Sequence, residues 1–443
     1  MINNTRLRTA VALAVAAASS QALANGVAVN EQSASSMGTG FAGRSSSAQD
    51  ASTVFGNPAG MSKIERTQIS GGFAVVDAQT DISNVQSAAP GTNDGDMVPF
   101  TAIPFGYYVK PLSEKWHFGL GVYVPFGVIS DYEDSFQGRY HGLESEVQVV
   151  TVQPTISYRI NERTSVGIGP TINHIEGTLT RDVLTPAGDG NVDIQGDDVA
   201  YGFNVGVLAD LTERLALGLT YHSKVDYSLE GETELSNFPI PVNGEYNATL
   251  DVTTPESIDL SLTYEHNDDW TLYAGATWTR WSQFDQLQIE NPDAQAPFDN
   301  VQEGLDWSDT VSYAIGAAYQ VTPTVVLRTG LAFDPSPTND DDRTVRIPVS
   351  DRTVFSLGAG WEATPDLMVD VAYAYLHEDE GGVSYSGSPS SPAYSADYNN
   401  SAHGLAAQVT YCSGQLMPDN ILSFSSAATG DTPPLNVCGR CSL

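Results

Sequence analysis

The stretch from Trp307 to Val321 reads WSDTVSYAIGAAYQV. Its odd positions are Trp307, Val311, Tyr313, Ile315, Ala317, Tyr319 and Val321, broken by Asp309; its even positions run from Ser308 to Gln320 and are small or polar. Successive residues of a strand point to opposite faces, so this segment has one greasy face with aromatic ends and one small, polar face. A strand of a soluble sandwich alternates in the same way, because its apolar face packs a core. Recurrence decides between the two. The pattern returns along the chain with its small, polar face, which describes a barrel with lipid outside and a lined lumen inside.

Working outward, apolar faces recur at Ile69–Val75, Ile103–Val109, Trp116–Val124, Val150–Tyr158, Val166–Ile172, Val199–Val207, Leu215–Tyr221 and Ile258–Tyr264. They continue through Trp270–Trp278, the opening stretch, Val325–Phe333, Phe355–Trp361, Leu367–Tyr375 and Leu405–Tyr411. The expected fold is all-β, a transmembrane antiparallel barrel of about fourteen strands, an even count that suits a single bacterial chain. Short links such as Pro111–Glu114, Asn161–Arg163 and Thr322–Pro323 read as periplasmic turns. Longer acidic ones, around 80–97, 184–197, 232–247, 285–304, 335–350 and 379–398, read as extracellular loops.

Lys+Arg number 19 against 54 Asp+Glu, a net charge of −35, which argues against nucleic-acid binding. Beyond the N-terminus no apolar run is long enough for a membrane helix. Arg6 and Arg8, the apolar Thr9–Ala18 and the Ala22-Leu23-Ala24 site read as a secretory signal over 1–24, cleaved after Ala24. The barrel is assigned to 65–411, in the outer membrane of a Gram-negative bacterium. The tail at 412–443 is atypical and holds all three cysteines, Cys412, Cys438 and Cys441. The C-x-x-C it contains has no βα context or second pair to make it a redox or zinc site, so no metal or cofactor is expected.

Residues 25–64 are rich in Gly, Ser and Ala and end in the turn chemistry of Phe55-Gly56-Asn57-Pro58-Ala59-Gly60. Small side chains and tight turns suit a plug inside the barrel. With GNPAG at Gly56–Gly60, YVPFGV at Tyr123–Val128, RTGLAFDPSP at Arg328–Pro337 and DRTVFSLGAGW at Asp351–Trp361, the chain resembles the FadL/TodX-type outer-membrane transporters of long-chain fatty acids and hydrocarbons. The resemblance implies an N-terminal hatch, passive capture of a hydrophobic molecule at the cell surface, and sideways release near the third strand. It places Asn57, Pro58 and Ala59 as the plug's contact to that wall. Gly119, Gly121, Pro125 and Gly127 are the candidate lateral gate, since a wall opens most easily where side chains and ladder donors are missing.

Candidate substrate contacts are Arg328, lumen-facing by parity and in need of an anion, Asp370 or Asp259 as its alternative partner, His174 with Glu176, and the greasy loop residues Phe238 and Phe298. The expected partners are a hydrophobic small molecule, the lipid and lipopolysaccharide of the outer membrane, and the barrel-assembly machinery, with the chain a monomer. The alternatives are a diffusion porin, which would show opposed charge ladders in an open lumen, and a barrel lipase, which would need Ser, His and an orienting group at one level. Neither pattern stands out, and no enzyme activity is expected.

Overall fold

The computed structural model describes residues 26–239 and 242–413. The expected signal segment, and the tail beyond Ser413 with Cys438 and Cys441, lie outside them; Cys412 is disulfide-bonded. Nineteen ladder segments form one antiparallel sheet: β1 (Thr67–Ser87), β2 (Thr101–Pro111), β3 (Trp116–Asp131), β4 (Glu144–Asn161), β5 (Thr164–Thr185), β6 (Gly188–Asp210), β7 (Leu215–His222), β8 (Val225–Ser236), β9 (Gly244–Thr254), β10 (Ser257–Glu265), β11 (Trp270–Thr279), β12 (Gln286–Glu290), β13 (Asn300–Gly304), β14 (Thr310–Thr322), β15 (Val325–Asp334), β16 (Arg352–Thr364), β17 (Leu367–Glu378), β18 (Gly381–Tyr385) and β19 (Tyr394–Ser413). Interruptions split five strands into the pairs β7/β8, β9/β10, β11/β12, β13/β14 and β17/β18. The segments therefore make a closed fourteen-strand barrel, sealed where β1 pairs with β19 from Thr67↔Ser413 to Ser87↔Tyr394.

The opening stretch becomes β14, with Tyr313, Ile315, Tyr319 and Val321 exposed to the outside; Ile315 is 61% exposed. Trp116 with Tyr158, and Trp270 with Tyr319, pair their rings at 4.6 and 4.7 Å. With Trp361 and Tyr411 they mark the periplasmic rim, the usual place for amphipathic rings.

Three expectations change. Trp307 is 4% exposed and packs inside against Trp281 and Phe284, ahead of the strand it was assigned to. In β2 the apolar face is the inner one. Ile103, Phe105, Tyr107 and Val109 are buried, and Phe105, Tyr107 and Val109 pack with the plug residues Ala51, Val54, Met61 and Ile64. A plug supplies an apolar surface within the lumen, and periodicity alone cannot tell that surface from lipid. Several expected loops are strand as well. The 184–197 segment is the tip of a β5–β6 ladder that runs unbroken to Thr185↔Gly188, and segments β8, β9, β12, β13 and β18 occupy much of the others.

The plug spans the lumen as two short helices, Ala34–Met37 and Thr53–Gly56, followed by a 3-10 turn, Pro58–Lys63. Its seat depends on wall positions without side chains. Asn57 donates to the carbonyls of Ser45 (2.6 Å) and Val207 (3.0 Å) and accepts from Ala59 N–H (2.9 Å), so its amide is fully used. Ser165 donates to Ala59 O at 3.0 Å, and Thr220 to Gly56 O at 2.9 Å. Asn57, Pro58 and Ala59 therefore seat against β5–β7, while Met61 and Val54 meet Gly119 and Gly121 of β3. A Cβ at Gly206 would overlap Asn57 Oδ1, and one at Gly330 would overlap the Thr39 backbone. We expect Gly206→Val to destabilise the folded barrel by about 1–3 kcal/mol, the usual cost of overpacking. Gly71→Ala, where a Cβ meets nothing within 4 Å, should stay within about 0.5 kcal/mol of wild type; thermal unfolding in detergent distinguishes them.

Candidate functional site

Above the plug lies an almost wholly apolar chamber, walled by Val149, Ile175, Leu229, Leu250 and Leu305 among others. Its roof is unexpected. The link between β15 and β16, read from sequence as an external loop, folds inward so that Arg343 to Ser350 are all buried, and Thr344, Arg346 and Ile347 line the chamber. The charged break in the lining is Arg346 with Glu303. Arg346 Nε lies 3.2 Å from Glu303, and its Nη1 donates to Glu144 O (2.9 Å) and Ser145 Oγ (2.8 Å). Arg181 stands close enough to feel both Arg346 and Glu303, and its Nε is buried without a partner. A second guanidinium thus stands near the Arg346–Glu303 pair that borders the apolar space.

The chamber borders a break in the wall. Among the described residues, the β2–β3 ladder runs only from Pro111↔His117 to Gly106↔Val122. Beyond it β3 bulges at Val124–Pro125, between Tyr123↔Thr151 and Phe126↔Val149 of its pairing with β4. Pro125 brings no ladder donor, and a bulge turns a strand away from its neighbour. The free edge is occupied by the chain's own leader. Val29 N–H donates to Pro125 O and Gly127 N–H to Val27 O, both at 2.8 Å, with a bridge from Ala28 to Phe126. Counting from Trp116 at the rim, Tyr123–Gly127 sit roughly 18–28 Å up a strand tilted about 40°, near the top of an apolar band about 25 Å tall.

Beneath, a second chamber is lined by polar and charged side chains, including Glu31, Arg44, Asp259, Asp334 and Arg352. Burial pushes the Glu31 carboxyl up to about 7, although Arg352 and Arg44 oppose the shift. Arg352 is shared between Asp334 (3.8 Å) and Glu378 (3.5 Å).

The sequence candidates are scattered over the barrel. Arg328 pairs with Asp370 at 2.7 Å, with side chains 3% and 0% exposed, on the periplasmic side of the plug. Asp259 accepts instead from Thr277 (2.6 Å) and lines the polar chamber. His174 and Glu176 point out of the barrel, His174 lying 3.6 Å from Asp197. Phe238 and Phe298 close edge-to-face on each other at 5.0 Å and are buried. Pro125 and Gly127 sit at the break, whereas Gly119 and Gly121 sit on the plug. Sequence reading passed over Glu31, Arg181, Glu303 and Arg346. The signal was available for one of them: Val345, Ile347 and Val349 alternate with Thr344, Arg346 and Pro348, a strand-like rhythm unusual in a solvated loop.

Residues 15–412 match the model of the family described as outer membrane protein transport protein (OMPP1/FadL/TodX). The chain is 29% identical to outer membrane protein P1 of Haemophilus influenzae, over 84% of this chain and 90% of that one. It is 26% identical to the long-chain fatty acid transport protein of Escherichia coli K12, over 84% and 92%. Among solved structures, a Pseudomonas aeruginosa FadL homologue superposes with TM-score 0.77 at 23% identity, covering 87% of this chain and 99% of that one.

Glu31 gives a pH test. Its carboxyl is neutral in the fold up to about 7 but ionises near 4.5 when the chain unfolds, so its stabilising contribution is complete below the lower value and is lost as pH rises to the upper one. Glu31→Gln should melt with wild type at pH 4 and above it at pH 8, the gap opening between those two values and then staying constant.

Proposed function

The chain belongs to the outer membrane protein transport family (OMPP1/FadL/TodX), whose members carry hydrophobic molecules across the outer membrane, and we propose that its cargo is a long-chain fatty acid released sideways through the β2–β3 break. The observation that carries this reading is the placement of Arg346 in the lining of an otherwise apolar chamber, with Arg181 near enough to feel it and Glu303. An acyl tail buries against Val149, Ile175 and Leu250, with about 25 cal/mol gained per Å² of apolar surface removed from water. The carboxylate takes the surplus guanidinium charge that Glu303 alone leaves, through charge-assisted hydrogen bonds. The polar chamber suits a head group less well, because Asp259 and Asp334 line it with Arg44 and Arg352, and Arg352 is already shared between Asp334 and Glu378.

Release follows from the same geometry. Phe126 and Val27 line the chamber and also form the leader's contact with the free edge of β3. Withdrawal of the leader joins the chamber to the bilayer without an aqueous step for the cargo. Pro125 and Gly127 are the gate residues on this reading, and Gly119 and Gly121 hold the plug beside it.

Binding of radiolabelled long-chain acid and of a matched alkane to detergent-purified protein tests the cargo. Arg346→Leu should weaken the acid about 10- to 100-fold, the loss of a charged hydrogen bond of about 1.5–3 kcal/mol, and leave the alkane unchanged. Equal loss of both, or of neither, sinks the head-group assignment. Arg328→Ala orphans a buried carboxylate and should cost about 3–5 kcal/mol of stability with acid affinity retained. A disulfide between Val27→Cys and Gly127→Cys should stop uptake by cells while leaving binding intact; uptake that persists with the leader locked would rule out this exit.

A further inference from the structure

Three cavities below the apolar chamber share walls. Asn30, Arg44 and Phe55 line both the polar chamber and a narrow neck inside the plug, and Ser47 and Gln49 line both that neck and a vestibule facing the periplasm. The neck is walled chiefly by Ser, Thr, Asn and Gln side chains, Gln32, Ser35 and Thr53 among them. Along the series, buried polar atoms are left without a protein partner: Glu31 Oε2 and Arg352 Nη1 at the upper end, Gln32 Oε1, Arg44 Nε and Gln49 Oε1 at the neck, and Arg328 Nε at the lower end. Leaving such groups unpaired in a dry interior is costly. Native proteins relieve that cost with water wherever a polar cavity can hold it.

We propose that the plug carries a hydrated polar path, from the polar chamber through the Ser47–Gln49 neck to the periplasm, that admits water and excludes hydrophobic cargo. Exclusion follows from the lining, since an acyl chain in the neck would strip these polar groups of hydrogen bonds and return none. The path supplies what the proposed sideways release requires, and to that extent it rests on the cargo reading. A chamber that empties into lipid must refill, and the in-folded 343–350 segment covers it from above.

Proteoliposomes subjected to an osmotic step in a stopped-flow light-scattering instrument test the path. Vesicles with wild-type protein should shrink faster than protein-free vesicles. Ser47→Trp, which fills the neck, should return the rate to the protein-free value while fatty-acid binding is retained. Wild-type vesicles no faster than protein-free ones, or Ser47→Trp vesicles as fast as wild type, overturn the proposal. Should Ser47→Trp fail to give the compact, heat-modifiable band of a folded barrel, Gln49→Leu removes a polar partner without adding bulk. Its water flux should fall below wild type, and an unchanged flux overturns the proposal equally. Loss of acid binding with water flux intact would count against the cargo reading alone.

Discussion

A bilayer offers no water to a backbone N–H or C=O, so a chain that spans it as strands must close the ladder on itself. Nearly everything else in this molecule accommodates that demand. The β1–β19 seam closes the circle, and the aromatic residues at the periplasmic ends set its depth. Where the ladder fails, between β2 and β3 above Val122, the chain lends its own leader to the exposed edge. Val27 and Val29 supply one donor and one acceptor there, a strand-addition contact made within a single molecule. Among the described residues the backbone part of that covering is two hydrogen bonds long, against the many-residue ladders around it. The break can therefore exist without leaving an orphaned edge in lipid.

The lumen sorts its few cations by the same logic. Arg328 and Asp370 are sealed under the plug with their charges matched one to one. Such a pair contributes little net stability, but losing either partner is costly. Arg346 is placed differently, at the boundary of an apolar space with Glu303 beside it and Arg181 near both. One arrangement is complete within the protein; the other has capacity left for an anion brought in from outside.

The lipid-facing strands were legible because the solvent imposes the pattern: every outward position had to be apolar, at a period of two. The plug blurs that rule wherever it creates an apolar surface inside. This is why β2 reverses its faces and why Trp307 turns inward to meet Trp281. Asn57-Pro58-Ala59 could be recognised as plug, but the wall it seats against could not, since the seat is defined by the absence of side chains at Gly167 and Gly206, two and three strands further round than the gate. The ion pairs lay further out of reach. Parity placed Arg328 and Asp370 in the lumen, yet their height relative to the plug depends on how the N-terminal segment folds. Arg346 was hidden because a run of acid and proline before it reads as a surface loop; only the alternation of Val345, Ile347 and Val349 shows that the segment turns inward.

The unbroken β5–β6 hairpin has a consequence for where the cargo is held. A strand of 22 residues tilted by about 40° climbs roughly 55 Å, more than twice the height of the membrane's apolar band. The upper wall, with Ile175 and Leu179 in it, thus stands clear of the lipid, at the level where an outer membrane carries its sugar layer. The barrel is a chimney as much as a pore. It raises a dry well into a hydrated polysaccharide thicket that hydrophobic molecules cross poorly, and opens that well at its foot, where the oil begins.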